Sequence, residues 1–295
     1  MSIATLVRED RNEYIPHDQL FKQLIHTFFD EFLEIFFPEV HKHIDFSCIK
    51  PLSEEMFTDL YEGESRRADI VIETKLKGRD TLMIIHVEPQ SYNQPNFNER
   101  MYHYFSLLYN KYRKPILPIS IFSYDENRTE SNEFSIDFPF FHVLTFNFLK
   151  LELRKMNWRH YIGSTNPAAL ALLSKMGYTK KEKVQVKKEF LRMLVKMEIE
   201  PAKSALIYNF FETYLPLSNT EEDELMEQIN RLSQDESEQI RKLPKSLWEK
   251  GKEEGKEEGK KEDALEMLKE GLSIKLNSKI THLSKDEIKE LRRKL

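Results

Sequence analysis

Between Arg66 and Gln90 the chain reads RRADIVIETKLKGRDTLMIIHVEPQ. Two runs rich in Ile and Val, at 68–76 and 81–90, flank the polar loop Lys77-Gly78-Arg79-Asp80. Apolar runs of that length around a Gly-bearing loop predict a β-hairpin. Symmetrical closure about the loop pairs Leu76 with Thr81, and counting back along both strands sets Asp69 opposite Glu88. Side chains alternate between the two faces of a strand, so His86, Glu88 and Gln90 share one face. The hairpin therefore gathers two carboxylates and an amide.

Carboxylates opposite each other on paired strands lie roughly 5 Å apart and repel. One must take up a proton unless a cation lies between them. Hard divalent ions such as Mg²⁺ are held by one or two carboxylates, with water and phosphate oxygens in the remaining positions. Such an ion activates water and offsets charge developing on a phosphodiester. His86 reads as a packed residue behind this pair rather than a ligand.

An Asp followed on the next strand by Glu-x-Lys is the core of the PD-(D/E)XK nucleases, and this sequence resembles them. Asp69 stands as the first acid and Glu88-Pro89-Gln90 as the Glu-x-Lys element. The flanking segments resemble one branch of that superfamily, the recombination-promoting, transposase-like nucleases. The likeness lies in Pro16-His17-Asp18 with Phe21-Lys22, in Arg66 to Gln90, and in Arg100 with Tyr104. It continues in Glu212-Thr213-Tyr214-Leu215-Pro216-Leu217 and in the Gly-Lys-Glu-Glu repeats near the end. The resemblance implies an α/β restriction-endonuclease-like core of order αβββαβ, followed by an all-helical C-terminal region. It implies a Mg²⁺-dependent DNA endonuclease in which Asp69 and Glu88 bind the metal and Gln90 orients the attacking water. Lysine is usual at the position of Gln90. An amide donates and accepts hydrogen bonds but carries no charge, so water activation rests more heavily on the metal. The alternative is a nuclease-derived module that binds DNA or protein without cutting.

A literal Glu-x-Lys stands at Glu73-Thr74-Lys75, with Asp59 as its first acid. Asp69 and Glu73 share a strand four residues apart, about 13 Å, too far for one ion to bridge. Asp18 reads as the N-cap of a helix over 18–36 that Pro38 stops. The resemblance places that helix beside the metal, where Asp18 or Lys22 would reach the metal shell or DNA. Arg100, on a helix over 97–112, is a candidate phosphate ligand.

Further expectations follow the order of the chain. A first strand lies within 44–61, a strand over 116–124, an acidic loop runs through Asp137, and an aromatic strand spans 140–149. Strand signals end near 155, giving a nuclease-like domain at 1–155 and a helical region at 156–244. Helices are expected from Asn166-Pro167 through 176 and over 182–197, 201–214, 221–233 and 285–295. Net charge is −5, with 19 Lys and Arg against 25 Asp and Glu in residues 1–160. Tight DNA binding draws on Lys and Arg. The candidate for backbone contact is the stretch 175–196, with eight Lys and Arg against two Glu. At 245–295, Gly251, Gly255 and Gly259 recur every four residues among Lys and Glu. On a helix they form one stripe suited to close packing against a second copy, a homodimer. The single cysteine, Cys48, suits a reducing cytoplasm and reads as a small buried hydrophobe. No run approaches the roughly 20 apolar residues of a membrane span.

Overall fold

The computed structural model describes residues 17–52, 70–78, 82–90, 96–124 and 130–243. Of the C-terminal segment it describes 260, 264–265, 267–269, 273–281 and 283–293. The architecture is mixed α/β. Helices α1 (His17–Thr27), α2 (Phe29–Phe36) and α3 (Pro38–His43) precede strands β1 (Ile44–Pro51), β2 (Ile70–Leu76) and β3 (Leu82–Gln90). Helix α4 (Phe97–Tyr112) leads to β4 (Ile116–Phe122). A hairpin of β5 (Glu133–Phe138) and β6 (Phe141–Asn147) then precedes β7 (Leu149–Glu152). One five-stranded sheet has the order β1-β2-β3-β4-β7. β1, β2 and β3 are antiparallel neighbours, whereas β3, β4 and β7 run parallel.

The helix expected over 18–36 is two helices. The chain breaks at Phe28, whose backbone leaves helical values at φ −121°, ψ 39°. Asp18 falls inside α1 rather than ahead of it. The break lets Leu24, Ile25, Phe28, Phe29, Phe32 and Leu33 all bury in one core, which a straight helix with a single apolar stripe would not allow.

Two expectations after β4 are also revised. The stretch ending at Asp137 is the strand β5 rather than a loop, because Phe134, Ile136 and Phe138 alternate with polar residues. The aromatic strand is split at Phe148 into β6, which pairs with β5, and β7, which joins the main sheet beside β4. Phe148 turns inward at the split, packing with Phe97, Met101, Phe122 and Phe146.

The two faces of the sheet are covered differently. Ile70, Ile72, Ile85, Val87, Ile119 and Ile121 face the larger core. There they meet α1 and α2 together with α5 (Pro167–Leu172), α6 (Lys183–Lys196) and α7 (Pro201–Tyr214). Asn166 ties this layer together. Its side chain caps α5 by accepting from the Ala169 amide at 3.0 Å, and donates to the Glu31 carbonyl of α2 at 2.8 Å. The shift in composition near 155–165 is thus where strands stop, while the core continues across it. α4 and the β5–β6 hairpin cover the other face. α8 (Asn219–Asn230) and α9 (234–243) pack behind α6. α10 (Ile274–Thr281) and α11 (Lys285–Arg293) form a small separate cluster through Ala264, Leu283 and Ile288.

Gly251, Gly255 and Gly259 lie outside the described residues. Cys48 is exposed, contrary to the buried role expected of it. β1 is an edge strand whose only described partner is β2, and there the thiol donates to Asp45 at 3.5 Å. Among the described residues no helix is long and apolar enough to cross a membrane.

Candidate functional site

The register of β2 on β3 is the one that symmetrical closure of the loop predicts. Ile70 stands opposite Val87, Val71 opposite His86, Glu73 opposite Ile84 and Lys75 opposite Leu82. Gly78 turns the chain with φ +71°, a left-handed backbone that glycine adopts without steric cost. The pairs alternate between faces. Ile70–Val87 and Ile72–Ile85 enter the larger core, whereas Val71 and Ile84 pack against Tyr104 and Leu108 of α4. Asp69 lies outside the described residues. Glu88 and Gln90 are placed as backbone at the end of β3, and their side chains are likewise outside the description.

The surroundings of that strand end are well defined. His86 is fully buried with its ring edge-on to Tyr104, centroids 5.4 Å apart. It is a packed residue, as expected. Parallel pairing continues the row containing Glu88 to Ser120 on β4 and then to Lys150 on β7. The next row outward joins Gln90, Phe122 and Glu152 in the same way. At about 4.8 Å per strand, Glu88 and Lys150 lie roughly 10 Å apart along the backbone row.

Two features of these rows escaped sequence reading. The first is Ser120, fully buried, whose Oγ has no hydrogen-bond partner among the described residues. An orphaned buried hydroxyl costs about 1–3 kcal/mol, so one retained in a strand interior calls for a reason. Its signal in the sequence is a lone polar residue in the apolar run ILPISIF. The second is a clip around Glu152. Its carboxylate accepts from the Glu130 amide at 3.1 Å and from Lys155 at 2.9 Å, and Lys150 lies 3.4 Å away. Burial alone would push the Glu152 carboxyl up, but these donors overcome it and hold the group below the usual carboxylate range. The Lys150 ammonium also donates to the Glu130 carbonyl, so both ends of residue 130 are held at the edge of the site.

The alternative motif is separated from this region. Glu73 is ion-paired with Lys114 at 2.7 Å, and Thr74 is buried, donating to the Asp45 carbonyl at 3.0 Å. Burial and then the Glu73 charge push the Tyr112 phenol up. Asp59 lies outside the described residues. Arg100 places its guanidinium 4.9 Å above the Phe97 ring, at the start of α4. Lys22 lies on α1, a helix packed beside β3 on the opposite face of the sheet from α4.

Part of the basic stretch 175–196 is paired within the protein. Lys183 pairs with Glu221 at 3.1 Å, and Arg192 with Glu189 and Glu236 at 3.0 and 2.9 Å. Lys187 is 5% exposed and lies 2.9 Å from both Glu212 and Glu222. These pairs commit Lys183, Lys187 and Arg192 within the helical layer, whereas Lys180, Lys181 and Lys196 remain exposed. Apart from Glu189 on α6 itself, the acids come from α7, α8 and α9, far along the chain, so the sequence does not show them beside these cations.

No protein-family model, curated protein or solved structure significantly matches the chain. Among the described residues no group of three or more His, Cys, Asp or Glu side chains is placed to hold a metal ion.

Proposed function

We propose that this chain is a Mg²⁺-dependent DNA endonuclease built on a PD-(D/E)XK-type core and acting in recombination or transposition. The observation that carries the reading is the β2–β3 register. The register under which the sequence reading pairs Asp69 with Glu88 holds as far as Ile70 opposite Val87, the last described pair. Two carboxylates supply the hard oxygen donors that Mg²⁺ takes, and the orphaned Ser120 hydroxyl adds a polar group in the Glu88 row. Asp69 and Glu88 are assigned to hold the ion, which when bound supplies Lewis acidity toward a phosphodiester. Gln90 is assigned to orient water through its amide. Tyr104, Leu108 and His86 close the sheet face behind the site and exclude solvent from that side.

The order of elements supports the same core, with helices, three antiparallel strands, a crossover helix and a parallel strand preceding the added hairpin and β7. A second reading, a nuclease-derived module that binds without cutting, is favoured by Gln90 in place of lysine and by the net charge of −5. Plasmid cleavage with and without Mg²⁺ separates the two. The endonuclease reading expects Mg²⁺-dependent nicking that Asp69→Ala and Glu88→Ala each abolish without lowering Tm. Retention of plasmid by the intact protein with no cleavage at any Mg²⁺ concentration establishes the binding module instead.

A further inference from the structure

We propose that the tip of the β5–β6 hairpin docks onto a second copy of this chain, seated on the carboxyl-terminal end of that copy's α4, with the contact made reciprocally about a two-fold axis. Phe138, Phe140 and Phe141 stand at the tip with 55%, 86% and 61% exposure, and Val143 follows at 43%. Singly exposed apolar residues are ordinary on a protein surface, but a contiguous aromatic patch marks a contact. The patch is also held in shape. Phe138 and Phe140 stack with centroids 5.8 Å apart and planes 19° from parallel. Beside them His142 meets Asp137 on the facing strand at 2.6 Å and Thr145 at 3.1 Å. Rings ordered before contact lose little freedom on docking.

Charge selects the occupant. Residues 133–147 include Glu133 and Asp137 but no Lys or Arg, which disfavours phosphate-bearing surfaces, whether nucleic acid or anionic lipid. An apolar surface rimmed by cations fits instead, and this chain carries one. At the end of α4, Tyr109 is 45% exposed, Lys111 is exposed, and the guanidinium of the exposed Arg113 lies 5.9 Å from the Tyr109 ring. Phe105 stacks on Tyr109 at 6.2 Å and meets the hairpin at Phe146, 5.1 Å away. Hairpin and α4 thus share one side of the sheet, as an isologous contact, in which the same two patches meet twice, requires. At these exposures the three rings present roughly 400 Å². Two docked hairpins and the surfaces that receive them cover about 1,600 Å², the size of a standard specific interface.

The test is sedimentation equilibrium of the full chain at micromolar concentration, with Tm recorded for each variant. The unaltered chain is expected to dimerise. Phe138→Ser combined with Phe140→Ser should weaken the dimer about 30-fold or more with little change in Tm, because both rings already face water in the single chain. Glu133→Lys with Asp137→Lys, and separately Lys111→Glu with Arg113→Glu, should each give monomers. Mixing those two charge-reversed proteins should restore a dimer, since each hairpin then meets an end of α4 of opposite charge. A monomeric unaltered chain overturns the proposal, as does a double serine variant that dimerises like the unaltered chain, or a mixture that stays monomeric. If the unaltered monomer instead co-sediments with phosphatidylcholine vesicles and the double serine variant does not, the occupant of the tip is a lipid surface and not a second copy.

Discussion

The charge triad at Lys187 allows a calculation that distinguishes removing a cation from removing its partners. Lys187 lies on α6 at 5% side-chain exposure, whereas Glu212 on α7 and Glu222 on α8 keep 31% and 46%. Changing Lys187 to Met preserves length and volume and leaves two carboxylates that water can reach. The loss is two charge-assisted hydrogen bonds discounted for that exposure, about 1–2 kcal/mol. Changing both Glu212 and Glu222 to Met instead leaves a buried ammonium with no counter-charge, which costs about 3–5 kcal/mol. All three changed to Met should return to within about 1 kcal/mol of the unaltered protein, because no buried charge remains. With roughly 2 °C of Tm per kcal/mol for a chain of this size, scanning calorimetry should read falls of about 2–4 °C, about 6–10 °C and under about 2 °C. If Lys187→Met proves as damaging as loss of both acids, or the triple variant is the least stable, exposure does not govern these helices in the way argued.

Three further outcomes are expected. The Glu182 carboxyl is lowered from its ordinary 4.5 to about 2 by the Thr179 amide and hydroxyl and then by Arg159. Its contribution is therefore complete above pH 4.5 and lost as pH falls toward 2, and Glu182→Gln should flatten a Tm-against-pH curve within that window and nowhere above it. Gln90→Lys should preserve or raise Mg²⁺-dependent plasmid cleavage, and its abolition would mean that the amide makes a contact a cation cannot. Gly251, Gly255 and Gly259 changed together to Ala should weaken self-association in analytical ultracentrifugation while raising helicity by circular dichroism, three glycines opposing a helix by about 3 kcal/mol relative to alanine. A wild type that is monomeric at micromolar concentration would refute the stripe as a dimer contact.

Local signals were legible wherever one strong period or one turn decided the outcome. The β2–β3 register followed from a four-residue loop and two apolar runs, because a slip of one residue would have turned Ile70, Ile72, Ile85 and Val87 out of the core. α4, β4, α6 and α7 fell close to their expected bounds for the same reason. Non-local decisions were not legible. The break at Phe28 depends on aromatic residues from elsewhere in the core, among them the contact of Phe21 with Phe210 at 4.9 Å. β5 went unread because its acids masked the alternation of Phe134, Ile136 and Phe138. The pairing of Lys183, Lys187 and Arg192 was not legible because sequence shows a cation without its partner.

The same contrast explains where the chemistry of the candidate site collects. β4 carries Ile119 and Ile121 toward one layer, and Ser120 and Phe122 toward the other. The first layer holds aliphatic and aromatic side chains from the whole C-terminal helical region, and Thr74, which shares the alternation of Ile70 and Ile72, is satisfied there by the Asp45 carbonyl of β1. Glu73, His86 and Ser120 fall in the opposite alternation, on the α4 side. α4 and the β5–β6 hairpin cover this side less completely, leaving Glu73 and Glu152 partly accessible at its two ends. A site that must hold charge on a buried sheet has one available face here. The described pairing places Glu88 at its margin, at the carboxyl ends of the parallel strands, where ligands of α/β sheets bind.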